Sequence, residues 1–247
     1  MQTGSPIDPQ SLSLPEKQLS GYAEVLEHLR REMTLGRIRV GDRLPSERKL
    51  SEHLGVARET LRQALRMLEG SGHIVIQRGS RGGAVVQSAP IDQAEVLRRV
   101  VERQDEIFAV IEFRSVVEAA AADLAAQRRS TDDVTALENA QADLLAAKSL
   151  HACRDFDTAF HLAIAHASGN REIALAVEDL RVKMFHSVDV IDYEFIRGSS
   201  HSAHQRILAA IRDGDSERAA REMRAHLETT REEFEHIIAK HTGHHTR

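Results

Sequence analysis

Asp157 and His161 stand four residues apart in a stretch where Phe156, Phe160, Ile164 and Ala167 recur at helical spacing. Both polar side chains therefore lie beside a buried stripe, one turn from each other, where they can grip one ion together. His204 precedes Ile207, Leu208 and Ile211 by three, four and seven residues, and His226 follows Met223 by three and adjoins Leu227. Both rings belong to the inward faces of their helices. Three imidazoles and a carboxylate converging from three helices form a mixed nitrogen and oxygen site suited to a divalent ion such as zinc, nickel, manganese or iron(II). The competing reading is that 14 histidines produce accidental four-residue pairs, and that an inward His is an ordinary hydrogen-bonded core residue. Spacing alone does not separate the two. His201 lies three residues from His204 and is a rival ligand.

Arg114 interrupts the apolar stripe Ile107, Val110, Ile111, Val117, Ala121 and Leu124. A guanidinium aimed into a helical core needs an anion. Glu118, one turn on, can be that anion, and so can a bound acid. A second group of arginines sits near the front of the chain. Arg58 and Arg62 are one turn apart on the face opposite Leu61, Leu65 and Leu68, and Arg48 opens the preceding helix. A guanidinium can bond bidentately to a guanine edge, worth ~1–3 kcal/mol of discrimination.

These side chains need a scaffold, and the pattern supplies one in two parts. Val25, Leu26, Leu29 and Met33 mark a first helix that stops at Gly36; Ser46 caps a second with Leu50 and Leu54, ending at Gly55; Leu61, Ala64, Leu65 and Leu68 mark a third that closes at Gly70 to Gly72. His73 to Gln77 and Ala84 to Gln87 read as strands around the basic, Gly-rich tip Arg78-Gly79-Ser80-Arg81-Gly82-Gly83. Three helices followed by a hairpin predict a winged helix-turn-helix over residues 20–88, with Arg78 and Arg81 at the wing tip poised for a minor groove. After Ser88-Ala89-Pro90, residues 91–240 show helix periods throughout. About seven helices are expected, with breaks near Gln104, Ser130, Ser149, Gly169, Gly198 to Ser200 and Gly214. The fold class is mainly α, with residues 1–19 as a leader and 241–247 as a tail.

Composition agrees. Hydrophobic residues make up 41% and charged residues 29%, with no apolar run long enough to span a bilayer. The Pro-containing start lacks a signal peptide's apolar core, and Cys153 is the single cysteine, so the chain is expected in the reducing cytoplasm. Residues 20–88 hold 12 Lys/Arg against 8 Asp/Glu, whereas residues 89–247 hold 20 against 28. A basic front and an acidic rear place any polyanion at the front.

The run Leu44-Pro45-Ser46-Glu47-Arg48-Lys49-Leu50, the run Leu54 to Leu65 with Arg58-Glu59-Thr60-Leu61-Arg62, and Gly72 to Gly79 together resemble the winged helix of the GntR family. That resemblance implies that Arg48, Arg58, Thr60 and Arg62 contact operator DNA, and that Arg78 with Gly79 enters the minor groove. One departure is Ala57, where the family usually has a Ser or Thr that caps the recognition helix. Its loss is expected to cost ~1 kcal/mol locally. The rear resembles the all-helical ligand domain of the FadR-like branch, whose metal-binding members carry Asp-x-x-x-His on one helix and a His on each of two later ones. Asp157, His161, His204 and His226 match that pattern, which implies a divalent metal, with zinc first. The resemblance also implies that Arg114 helps to hold a small organic acid.

The expected protein is a homodimeric regulator reading a short inverted repeat in double-stranded DNA, with the acid altering the spacing of its two winged helices. A metal-dependent enzyme fused to a winged helix, and a regulator with a structural metal or none, are the alternatives. No independent nucleophile or base motif accompanies the histidines.

Overall fold

The computed structural model describes residues 21–77, 83–87, 93–185 and 193–243. The leader, the linker at 88–92 and the wing-tip residues Arg78, Gly79 and Arg81 lie outside these. In the front unit, α1 (Gly21–Thr34), α2 (Glu47–Leu54) and α3 (Arg58–Gly70) precede an antiparallel pair, β1 (Ile74–Gln77) and β2 (Gly83–Val86), in register Ile74↔Val86 to Gln77↔Gly83. The three helices bury Val25, Leu26, Leu29, Leu50, Leu61, Leu65 and Leu68 in one core, which Ile74 and Val86 of the sheet complete. The Ser46 hydroxyl accepts from Lys49 N at the start of α2, and Gly55, at φ 68°, ends that helix in the left-handed region where glycine is unstrained. Helix α3 begins at Ala57 with no side-chain cap.

In the rear unit the described residues form seven helices: α4 (Gln93–Glu102), α5 (Gln104–Arg128), α6 (Thr131–Ala146), α7 (Leu150–Ala167), α8 (Arg171–Phe185), α9 (Tyr193–Asp213) and α10 (Ser216–Thr242). Ser130, Ser149 and Asp215 cap three of them with side-chain oxygens. The C-terminal third of α5 presents Ala121, Ala122, Ala125 and Ala126, all buried with Phe160, Ile164, Ile207, Ile211, Met223 and Leu227. Such small side chains let α7, α9 and α10 come close to α5, so polar groups on four helices can meet.

Two boundaries differ from expectation. Gly198-Ser199-Ser200 is no break but lies inside α9. Its residues are held in the bundle, since Ser200 is buried and the Ser199 hydroxyl donates to Glu233 Oε1 of α10 at 2.8 Å. Helix α10 likewise continues to Thr242, two residues into the expected tail.

The two units touch where α1 ends. Leu35 packs with Leu162 and Ala165 of α7 and Ala174 and Val177 of α8. Arg31 pairs with Asp179 at 2.6 Å, and Arg37 with Glu178. Gly36 leaves room for Asp155: an added Cβ would stand 3.2 Å from the Asp155 Cβ. Burial raises the Asp155 carboxyl to about 6 against the opposing pull of Arg154 and Arg39.

The bare N-terminus of α3 yields a first prediction. Ala57→Ser adds a hydroxyl that can accept an orphan amide there and is expected to raise unfolding free energy by ~1 kcal/mol. Urea denaturation checks it, and an unchanged midpoint would contradict the uncapped start.

Candidate metal centre and nucleic-acid interface

Four side chains from three helices converge in the rear unit. Asp157 and His161 come from α7, one turn apart; His204 comes from α9 and His226 from α10. One ligand atom of each can be chosen so that all four lie within 4.8 Å of one another. His161 and His204 are at most 1% exposed, and His226 and Asp157 no more than 9%. Nε2 of His161 lies 3.3 Å from Nε2 of His226, and Nε2 of His204 lies 3.5 Å from Asp157 Oδ1. Neither ring nitrogen of His204 has a hydrogen-bond partner among the described residues. An orphaned buried imidazole is costly unless something else engages it. Ligand atoms around a tetrahedral zinc ion stand roughly 3.4 Å apart, so inward shifts of the more distant pairs would close these atoms on one cation. The donor set fits a divalent metal.

Charge around the cluster is matched in pairs. Arg181 of α8, 1% exposed, donates to Asp157 Oδ2 and, at 2.9 Å, to Thr158 Oγ1. Arg114 Nε donates to Glu118 Oε1 at 2.6 Å, and the other oxygen of Glu118 meets His161 Nδ1. Burial pushes both carboxyls upward. At Asp157 the charge of Arg181, then the three imidazoles, outweighs it, and the group is held well below the usual range. At Glu118 it is Arg114, then His161 and Arg181, that prevail in the same direction. Burial lowers His226 to about 3, with His161 adding to the shift, and it also lowers His204 well below its ordinary value. A neutral ring keeps the lone pair that a metal needs.

The sequence picked out the four residues that converge here and the Arg114 to Glu118 pair. It missed Arg181 and the second contact of Glu118. Arg181 carried the same signal as Arg114, because it interrupts the buried series Val177, Leu180 and Met184. The tertiary contact of Glu118 with a ring on another helix has no local signature. His201, the rival ligand, is engaged elsewhere: Gln141 Nε2 lies 2.9 Å from its Nδ1 and donates to its carbonyl at 2.7 Å.

In the front unit, Arg58 opens α3 exposed, with no hydrogen-bond or ion-pair partner among the described residues. Arg62 is steadied by Glu47 of α2 at 3.2 Å and Glu59 at 3.0 Å, and Arg48 by Glu52 at 3.0 Å. Arg66, absent from the sequence-based set, extends the four-residue spacing of Arg58 and Arg62 and is 63% exposed. Thr60 is half-buried, its methyl group facing the start of α1 at Gly21. The uncapped amides of α3 and this arginine row leave a positive, donor-rich edge suited to a phosphate backbone. Arg78 and Gly79 fall outside the described residues.

Comparison with known proteins agrees with this architecture. Residues 21–86 match the family described as bacterial regulatory proteins, gntR family, and residues 109–229 match the FCD domain. The chain is 28% identical over 246 residues to the putative HTH-type transcriptional regulator RmpR of Mycobacterium gastri, covering 96% of this chain and 87% of that protein. It is also 28% identical over 232 residues to the Glc operon transcriptional activator of Escherichia coli strain K12, covering 90% and 91%. Among solved structures, Escherichia coli McbR/YncC superposes with a TM-score of 0.51 at 19% identity, covering 89% of this chain and 99% of that one. That last likeness concerns the fold. No helix among the described residues is long and apolar enough to cross a membrane. With both matched segments in place, the chain belongs to the GntR family and is a transcriptional regulator, not an enzyme, built from a DNA-binding winged helix-turn-helix and an FCD effector-binding domain.

Proposed function

We propose that this regulator works as a homodimer on a short inverted repeat, and that its FCD domain senses a small organic acid through a divalent metal, zinc first, held by Asp157, His161, His204 and His226. The observation that carries the reading is the convergence of four buried ligand atoms around a histidine whose ring nitrogens are both unsatisfied. Bound there, the ion would act as a Lewis acid for an anionic ligand.

Charge supports an acid as that ligand. Two carboxylates already face two guanidinium groups, so a divalent ion brings surplus positive charge into a buried space, and an anion offsets it. Glu118 engages Arg114 through Nε alone. The terminal nitrogens of Arg114 are then available to a carboxylate, with Arg181 the nearby second cation. Two relatives are named for the Glc operon and the Exu regulon, which is compatible with regulators tuned to different small metabolites.

On the DNA side, Arg48, Arg58 and Arg62 read or position the major groove, with Thr60 beside them, while Arg78 and Gly79 of the wing approach the minor groove. Two expectations test the two halves separately. Arg58→Ala is expected to weaken binding to a selected operator by ~1–3 kcal/mol while changing binding to random duplex far less; equal losses in fluorescence anisotropy would remove Arg58 from base recognition. For the sensor, thermal unfolding in graded Zn2+ is expected to show a dose-dependent rise in Tm. A further rise with small carboxylates should occur only when metal is present, and His204→Ala should abolish both. A wild-type Tm indifferent to Zn2+ would rule out the metal.

A further inference from the structure

We propose that Glu118 is a positioning residue of the metal centre: its carboxylate holds the proton of His161 on Nδ1 and thereby turns the Nε2 lone pair toward Asp157, His204 and His226. The inference rests on the metal reading above and assigns a role to a residue on α5, which supplies none of the four ligands.

Three observations carry it. Glu118 is 1% exposed, and its two oxygens are divided: Oε1 accepts from Arg114 Nε at 2.6 Å, while Oε2 is in ion-pair contact with His161 Nδ1, off the alignment of a full hydrogen bond, and neither of these two atoms has a hydrogen-bond partner among the described residues. The opposite nitrogen of that same ring points into the cluster, with Nε2 3.3 Å from His226 Nε2 and 4.0 Å from Asp157 Oδ2. Arg114 in turn fixes the carboxylate from behind, since it is 3% exposed and sits one turn away on the same helix. A neutral imidazole carries its proton on one nitrogen only, and the partner of one nitrogen decides whether the other is free to bind metal. An ionised carboxylate at Nδ1 excludes the tautomer that would protonate Nε2, orients the ring and raises its basicity. If Glu118 served only as counter-ion to Arg114, no imidazole would need to occupy its second oxygen.

Zn2+ affinity, measured on the full chain by competition with a chromophoric chelator, and ring nitrogen NMR of the metal-free protein test the assignment. Glu118→Gln is expected to weaken Zn2+ binding by about 10- to 100-fold and to turn the single Nδ1–H form of His161 into a mixture. Should that variant misfold because Arg114 loses its counter-charge, the balanced Arg114→Gln/Glu118→Gln pair takes its place, read against Arg114→Gln alone. Unchanged Zn2+ affinity, or a wild-type His161 carrying its proton on Nε2, would overturn the role of Glu118 and leave the metal reading standing. Failure of the wild-type chain to bind Zn2+ would overturn both.

Discussion

A carboxylate placed among alanines, leucines and isoleucines must either take up a proton or meet a cation, because burial penalises its charge severely. The FCD core of this chain meets that demand twice, with Arg181 against Asp157 and Arg114 against Glu118. Such pairs are weak contributors to stability, since well-packed apolar residues of similar volume often do as well or better. Their presence in the middle of the bundle points instead to the chemistry they maintain. Ionised oxygens coexist here with the neutral rings of His204 and His226 because each carboxylate is compensated by a guanidinium and those two histidines are desolvated. A divalent ion held as proposed would take both kinds of donor, an ionised oxygen and neutral ring nitrogens.

Much of this was legible in the amino-acid pattern. The spacing of Asp157 and His161, and of His204 and His226 relative to their apolar neighbours, follows from helical periodicity, which the folded chain keeps. Arg114 stood out because it broke a hydrophobic series. Arg181 breaks one just as visibly, between Val177, Leu180 and Met184. Other features depend on tertiary contact and have no local trace. Glu118 reaches His161 across two helices, and Gln141 draws His201 away from the cluster. Gly198-Ser199-Ser200 looks like a terminator in isolation, yet Ser199 bonds Glu233, Ser200 is buried in the bundle and the helix persists. Propensity yields to packing at such positions.

The winged helix uses charge differently. Arg48 and Arg62 are held by glutamates on the surface, where an ion pair contributes little to stability and exchanges readily with water or phosphate. The glutamates limit the rotamers of these arginines without locking them. Arg58 has no such restraint and stands at the start of α3, beside amides that Ala57 does not cap.

The junction beneath α1 has a mechanical consequence. Helix α8 carries Glu178, which grips Arg37, and one turn later Arg181, which grips Asp157; helix α7 carries Asp155 against Gly36 and, two residues on, Asp157 itself. The same two rods thus have one end of their grip in the sensor and the other on the reading head. The side chains that hold Asp157 and those that meet the segment after α1 therefore stand within one helical turn of each other on the same two rods.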